Sequence, residues 1–257
     1  MGSAKIPESV KRVFTETFTA RDVAEPLASF DAEASSTLVG EFMLARDFEV
    51  VGIRREGQVA GYVEVVSLQD GACGQVLREF EDTALVDEAT PLLQVLLKLN
   101  ESPRAFVTVL GNVAGIITRG DLQKPPVRMW LFGLVTLVEM RFAELIEQHC
   151  PGAAWKSFIS EARLQKAQAL LVERSRRNQG LQIFDCLQFS DKGQIVARNE
   201  QIRRETVFGS RSQAEATVKK LEQLRNNLAH AQDILTADWD TIVQLCIFVR
   251  SSIAEFQ

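Results

Sequence analysis

The sequence predicts an α+β module at the N-terminus, built from a tandem repeat, followed by an all-α helical bundle. Three observations carry this expectation. A glycine-centred strand pair recurs 54 residues further on, and Pro125-Pro126 separates two regions of different pattern. Everything after the prolines reads at helical rather than strand period. The expected boundaries are 1–124 for the first module, with repeats at about 15–70 and 71–124, and 127–257 for the bundle.

The repeat is carried by Gly57-Gln58-Val59-Ala60-Gly61-Tyr62-Val63 and Gly111-Asn112-Val113-Ala114-Gly115-Ile116-Ile117. Val50 to Arg55 and Arg104 to Val109 each read as a short strand running into the glycine turn. A second strand follows, then Ser67-Leu68 in one copy and Asp121-Leu122 in the other. Helical runs precede the strands, Thr37 to Ala45 and Pro91 to Leu99, with Ser36 and Thr90 as natural N-caps. One copy alone would leave an apolar sheet face exposed, so two copies are expected to pack together.

The pattern resembles a tandem pair of CBS domains, over residues 15–124. The second copy carries the better signature: Val113-Ala114-Gly115-Ile116-Ile117-Thr118-Arg119-Gly120-Asp121-Leu122 looks like the family's strand followed by T-x-x-D. The resemblance implies a regulatory adenine nucleotide (ATP, ADP or AMP), with Thr118 near phosphate and Asp121 on the ribose. The chemistry is reasonable, since a carboxylate can accept both ribose hydroxyls. The residues alone equally allow Thr118 to cap a turn and Asp121 to be a solvated acid. In the first copy Glu64 stands at the Thr position and Ser67 at the Asp position. A carboxylate there repels phosphate, so one nucleotide site per chain is expected, in the second repeat.

The formal charge of −5 is unevenly placed. Residues 1–126 hold 12 Lys+Arg against 19 Asp+Glu, giving −7; residues 127–257 hold 17 against 15, giving +2. An acidic chain is a poor indiscriminate nucleic-acid binder, although the second half can still present a local basic patch. Cys73, Cys150, Cys186 and Cys246 are scattered without a C-x-x-C pair, which argues against a disulfide framework or zinc site and fits a reducing, cytoplasmic setting. The longest apolar run, Trp130 to Val138, is too short for a bilayer, and no export leader is visible.

After Pro126 each element reads as helix. Val127 to Gln148 is apolar almost all round, which calls for burial on more than one side, by its own bundle and by a subunit partner. Glu139 lies on one of those apolar faces and needs either an arginine partner or a polar site. Ala153 to Phe158 is a short helix. Glu161 to Asn178 is a long one, with Leu164, Ala167, Ala169, Leu170 and Leu171 inward and Arg174, Arg176 and Arg177 at its C-terminal dipole. Leu181 to Arg198 is helical with a break at Ser190 to Gly193, and Gln201 to Ser210 is a loop. Ser212 and Glu215 form a capping box for a helix running to about Ile234. Ala237 or Asp238 opens the last helix.

The penultimate helix holds Leu224-Arg225-Asn226-Asn227-Leu228-Ala229-His230. With Arg225 at zero, Leu221, Leu224 and Leu228 fall near ~320°, ~260° and ~300°, and Asn226 and His230 near ~100° and ~140°. The polar pair therefore faces away from its own core. Arg225-Asn226-Asn227-Leu228-Ala229-His230 resembles the R-N-x-x-x-H motif of HEPN domains, over residues 127–257. The resemblance implies a homodimer whose two motifs form one composite site for metal-independent RNA cleavage, with Arg225, Asn226 and His230 as catalytic residues and no metal. Toxin-like members of such a family imply an antitoxin-like partner. Arg203, Arg204, Arg211, Lys219 and Lys220 supply charge for an RNA backbone. His149, at a helix end, reads as structural. The alternative is a non-catalytic nucleotide-sensing adaptor whose helical half only dimerises.

Overall fold

The computed structural model describes residues 5–176, 180–230 and 232–253. Two units are present, Phe18–Pro126 and Met1–Thr17 together with Val127–Gln257. The first helix, α1 (Glu8–Arg12), widens into a π-helical turn over Val13–Thr17 and groups with the helical unit rather than with the repeats. Met1-Gly2-Ser3 lie outside the described residues.

In the α/β unit β1 (Glu25–Pro26) is followed by β2 (Ser29–Asp31), α2 (Ser36–Ala45), β3 (Val50–Arg55) and β4 (Gln58–Glu64). The second copy runs β5 (Leu85–Asp87), α3 (Leu92–Glu101), β6 (Arg104–Val109) and β7 (Asn112–Thr118). The hairpin strands fall where the repeat predicts them. The two sheets are ordered β2-β3-β4 and β1-β7-β6-β5. Each copy adds a three-residue strand parallel to its hairpin, β2 on β3 and β5 on β6. Such strands are too short to show an alternating pattern.

The copies match in detail. Both hairpins carry a register shift, at Ile53/Arg54 and at Val107/Thr108. Both turn through two residues of positive φ, Glu56 (52°) with Gly57 (80°) and Leu110 (50°) with Gly111 (82°). Two positive φ values are what a tight hairpin turn requires, and glycine supplies the second without strain. The N-caps differ from expectation: Ser35 and Pro91 occupy them, and Ser36 is the first helical residue, its hydroxyl 3.7 Å from Cys73 Sγ. Each hairpin ends in a 3-10 turn, Val65–Ser67 or Arg119–Gln123, instead of a helix. Tyr62, Phe80 and Phe106 pack ring to ring at 4.6 to 5.7 Å, joining the two copies.

The helical unit is built on α4 (Pro125–His149). Both prolines sit in its first turn, where a missing N–H costs nothing. Gly152, at φ 65°, follows its end. Trp130, Leu134, Leu137, Val138, Phe142 and Leu145 are buried inside the unit. Part of that cover comes from the chain's own N-terminal segment. Trp130 Nε1 donates to Phe14 O at 2.7 Å, Ile6 N donates to the Glu144 carboxylate, and the Phe14 ring lies against Gly133. Met129 and Phe132 stay exposed.

A 3-10 turn at Ala154–Phe158 leads to α5 (Glu161–Ser175). Only Ala167 of its expected inward set is buried; Leu164, Leu170 and Leu171 are half-buried and Ala169 is exposed. Arg177 and Asn178 lie outside the described residues. The expected break at Ser190 to Gly193 is absent, because α6 (Phe189–Arg198) runs straight through it. Asp191 starts this helix by accepting from Gln188 N at 3.0 Å, and Arg163 neutralises it. Gly193 is required by the close approach of Val218, not by a turn. The expected loop from Gln201 holds α7 (Glu200–Arg204). The next helix, α8 (Arg211–Ala229), is capped by Ser210, whose hydroxyl accepts from Gln213 N at 3.2 Å, so Ser212 is not the cap. Glu215 pairs with Arg211 at 2.9 Å. The helix stops at Ala229, short of Ile234, and α9 (Leu235–Ser252) follows. Phe142, Phe189, Phe208 and Phe248 form the aromatic centre of the bundle.

Candidate functional sites

A cleft of about 770 Å³ lies in the α/β unit, where the end of β7 meets the β1–β2 connection and the residues before β3. Pro26, Leu27, Val50 and Ile116 give it an apolar wall. Thr118 and Asp121 both line it. Their own bonds close on each other. Thr118 N donates to Asp121 Oδ2 at 2.7 Å, the Thr118 hydroxyl donates to the same oxygen at 3.2 Å, and the Asp121 backbone N–H returns a bond to that hydroxyl. Lys124 holds the other carboxylate oxygen at 2.9 Å and reaches Glu25 at 2.5 Å and Val23 O at 2.6 Å. Burial alone would lower the Lys124 pKa, but its bonds to Asp121 and Glu25 outweigh that and raise it above the ordinary lysine value.

Thr19 and Asp22 repeat this turn, with bonds of 2.7 and 3.2 Å, yet they do not line the cleft. T-x-x-D is thus a turn-closing device by itself, and the cleft is what distinguishes the second instance. A further cleft, about 440 Å³, contains Glu64 with Glu81 and Glu101. Glu64 binds Arg104 at 2.8 Å and Arg78 at 2.7 Å. Arg104 lines both clefts. Sequence reading missed Arg104 because only tertiary packing brings it to Glu64, 40 residues away; Lys124, three residues after Asp121, was within reach of a spacing argument.

In the helical unit Leu221, Leu224 and Leu228 are buried, Arg225 is half-buried, and Asn226 and His230 are exposed. The wheel is therefore right about orientation. Arg225 and Asn226 line a polar cleft of about 520 Å³ with Glu139, Lys192, Glu222 and Arg174. Glu139 is paired with Lys192 at 2.8 Å, a lysine where an arginine was expected. His230 is the C-cap of α8 and does not line this cleft. Arg128 holds that helix end: its guanidinium donates to Asn227 O at 3.0 Å, Leu228 O at 3.3 Å and Gln232 O at 2.8 Å. Asn227 Nδ2 donates to Asp238 Oδ2 at 2.7 Å. Of the expected basic set, Arg204 and Arg211 are in ion pairs, Arg203 donates to Ala197 O, and Lys219 and Lys220 are exposed. His149 Nε2 lies 2.6 Å from Glu205 Oε1. Among the described residues no group of three or more His, Cys, Asp or Glu could hold a metal ion, and no helix is long and apolar enough to cross a membrane.

No protein-family model matches the sequence, and a search of the curated proteins gives no match. Solved structures resemble the N-terminal part, about 44% of the chain. CBSX2 from Arabidopsis thaliana, a CBS-pair protein solved with AMP, is 17% identical over 44% of this chain and 98% of its own, with a TM-score of 0.39. The CBS domain of a bacterial CNNM/CorC family Mg2+ transporter, solved with ATP, is 16% identical over 44% and 89%, with a TM-score of 0.36. An uncharacterized conserved protein from Pyrococcus horikoshii is 19% identical over 41% and 89%, with a TM-score of 0.36.

Proposed function

We propose that this chain is an adenine-nucleotide-responsive regulatory protein whose helical unit is a HEPN-like, homodimeric, metal-independent endoribonuclease. The observation that carries the sensing half is the cleft of about 770 Å³ holding Thr118 and Asp121 beside an apolar wall. Asp121 faces the ribose hydroxyls; the base lies against Leu27, Val50 and Ile116. CBS-pair neighbours solved with AMP and with ATP support the same ligand class.

The nuclease half rests on Arg225 and Asn226 opening into a polar cleft, with His230 exposed one helical turn further on. In the reaction an RNA 2′-hydroxyl attacks the adjacent phosphorus and gives its proton to His230. The 5′-oxygen leaves with a proton taken from water, and a 2′,3′-cyclic phosphate remains. An imidazole can accept a proton and return it, which is the task here. The Arg225 guanidinium, forked and permanently charged, holds the developing phosphorane charge. Asn226 orients the phosphate. One protomer's His230 lies outside its own cleft, so the complete site takes its members from two chains. The test is cleavage of single-stranded RNA by purified protein in EDTA. Loss of at least about 100-fold in His230→Ala and in Arg225→Ala is expected for a general base and a charge stabiliser. A His230→Ala protein that cuts like wild type overturns the assignment.

The position of His230 also favours a second reading, an adaptor in which α8 serves only dimerisation. A wild-type protein that dimerises and binds nucleotide but leaves RNA intact selects it.

A further inference from the structure

We propose that the second-repeat cleft selects an adenosine ligand of low negative charge, a nucleoside or nucleoside monophosphate, and discriminates against the triphosphate. This rests on the nucleotide-sensing reading and names its ligand class. The cleft is lined by five carboxylates, Glu25, Asp47, Glu49, Glu101 and Asp121, against two guanidiniums, Arg104 and Arg119. All but Asp121 are on exposed residues, so they form a rim through which a polyphosphate tail must pass.

The cations that could offset the rim are committed elsewhere. Arg104 is held by Glu64 at 2.8 Å. Arg119 donates from Nε and from a terminal nitrogen to Leu99 O, at 3.2 and 3.1 Å. Lys124 is divided between Asp121 and Glu25. The Thr118 hydroxyl both donates to the Asp121 carboxylate and accepts from its backbone N–H, so it offers a phosphate little. A β- or γ-phosphate therefore meets a lining of five carboxylates against two guanidiniums, both already hydrogen-bonded within the protein. The purine and ribose are unaffected by this, because their partners are the apolar wall and Asp121.

The two extra charges of ATP over AMP, beside a rim of net negative charge, weaken binding by about tenfold or more at low salt. The experiment is calorimetric titration of the full chain with adenosine, AMP, ADP and ATP at fixed low ionic strength without divalent cations. Expected is an affinity order in which AMP exceeds ATP by at least that factor. Raising the salt, or substituting Glu49→Gln with Glu101→Gln on the exposed rim, narrows the AMP-to-ATP ratio about threefold to fivefold. ATP binding as tightly as AMP overturns the charge selection and leaves nucleotide sensing standing. Failure of all four ligands to bind a folded protein overturns both.

Discussion

Substituting Gly193 by alanine tests how α8 is held. A Cβ at Gly193 would lie 2.3 Å from Val218 Cγ1, 2.8 Å from Cγ2 and 3.1 Å from Cβ. The obstacle is a buried β-branched side chain on a facing helix, with few rotamers to escape into. Overpacking of this kind costs about 1–3 kcal/mol, while alanine's helix propensity returns about 1 kcal/mol relative to glycine. With a contact as close as 2.3 Å the cost lies in the upper part of that range, so the net for Gly193→Ala is a loss of about 1–2 kcal/mol. Val218→Ala alone loses about 2 kcal/mol through two buried methyl groups and the space they leave. In the Val218→Ala background the clash is gone and only the propensity gain remains, so adding Gly193→Ala should stabilise by about 1 kcal/mol. The effect of one substitution thus changes sign with the residue opposite. Urea unfolding followed by tryptophan fluorescence measures it. Trp130, Trp155 and Trp239 are all in the helical unit, so the signal reports that unit alone. A Gly193→Ala protein as stable as wild type would falsify the close crossing of α6 and α8.

Gly133→Ala is expected to displace the Phe14 ring, whose Cε1 lies 2.0 Å from the built Cβ, and to raise amide exchange over residues 8–17 while moving the main unfolding transition by only about 1 kcal/mol. Burial pushes the Cys246 thiol up to about 12 from an ordinary 9.0. A folded value above the unfolded one means full stability below pH 9 and a loss from there towards pH 12, about 1.4 kcal/mol by pH 10, measurable as a fall in urea midpoint that Cys246→Ala lacks. The same burial should keep all four cysteines silent to a thiol reagent until the chain unfolds.

The strand pairs were legible because their signal is local. Alternation and the turn glycine lie within a few positions of each other, and the pattern recurs at an offset of 54 residues. Strands β2 and β5 were not, since three residues are too few for a period and their pairing is tertiary. The caps failed by one or two residues because Ser35-Ser36 and Ser210-Arg211-Ser212 offer neighbouring hydroxyls, and only the chain's approach angle decides between them. Gly193 misled in a more instructive way. Ser-Asp-Lys-Gly reads as a helix break, yet the glycine is there to admit Val218 from another helix. Its reason lies 25 residues away in sequence, and no local rule contains it.

The two T-x-x-D turns sharpen what a motif can establish. Thr19–Asp22 and Thr118–Asp121 have the same bonds, to the same atoms, at the same two distances. If local geometry conferred ligand binding, both would bind. Asp22 is exposed and Arg21 beside it is occupied with Glu88, whereas Asp121 is buried at the floor of a cleft with Lys124 on its second oxygen. The turn explains why threonine and aspartate stand at that spacing in both places. The cleft explains why only one of them can meet a ligand. By the same reasoning Glu64, at the position that matches Thr118 in the second repeat, has a consequence of its own. The carboxylate takes Arg104, the residue shared by the two clefts, and so removes a cation from the site that remains. On the proposed nucleotide reading, the charge of the ligand taken in the second repeat depends in part on Glu64 in the first.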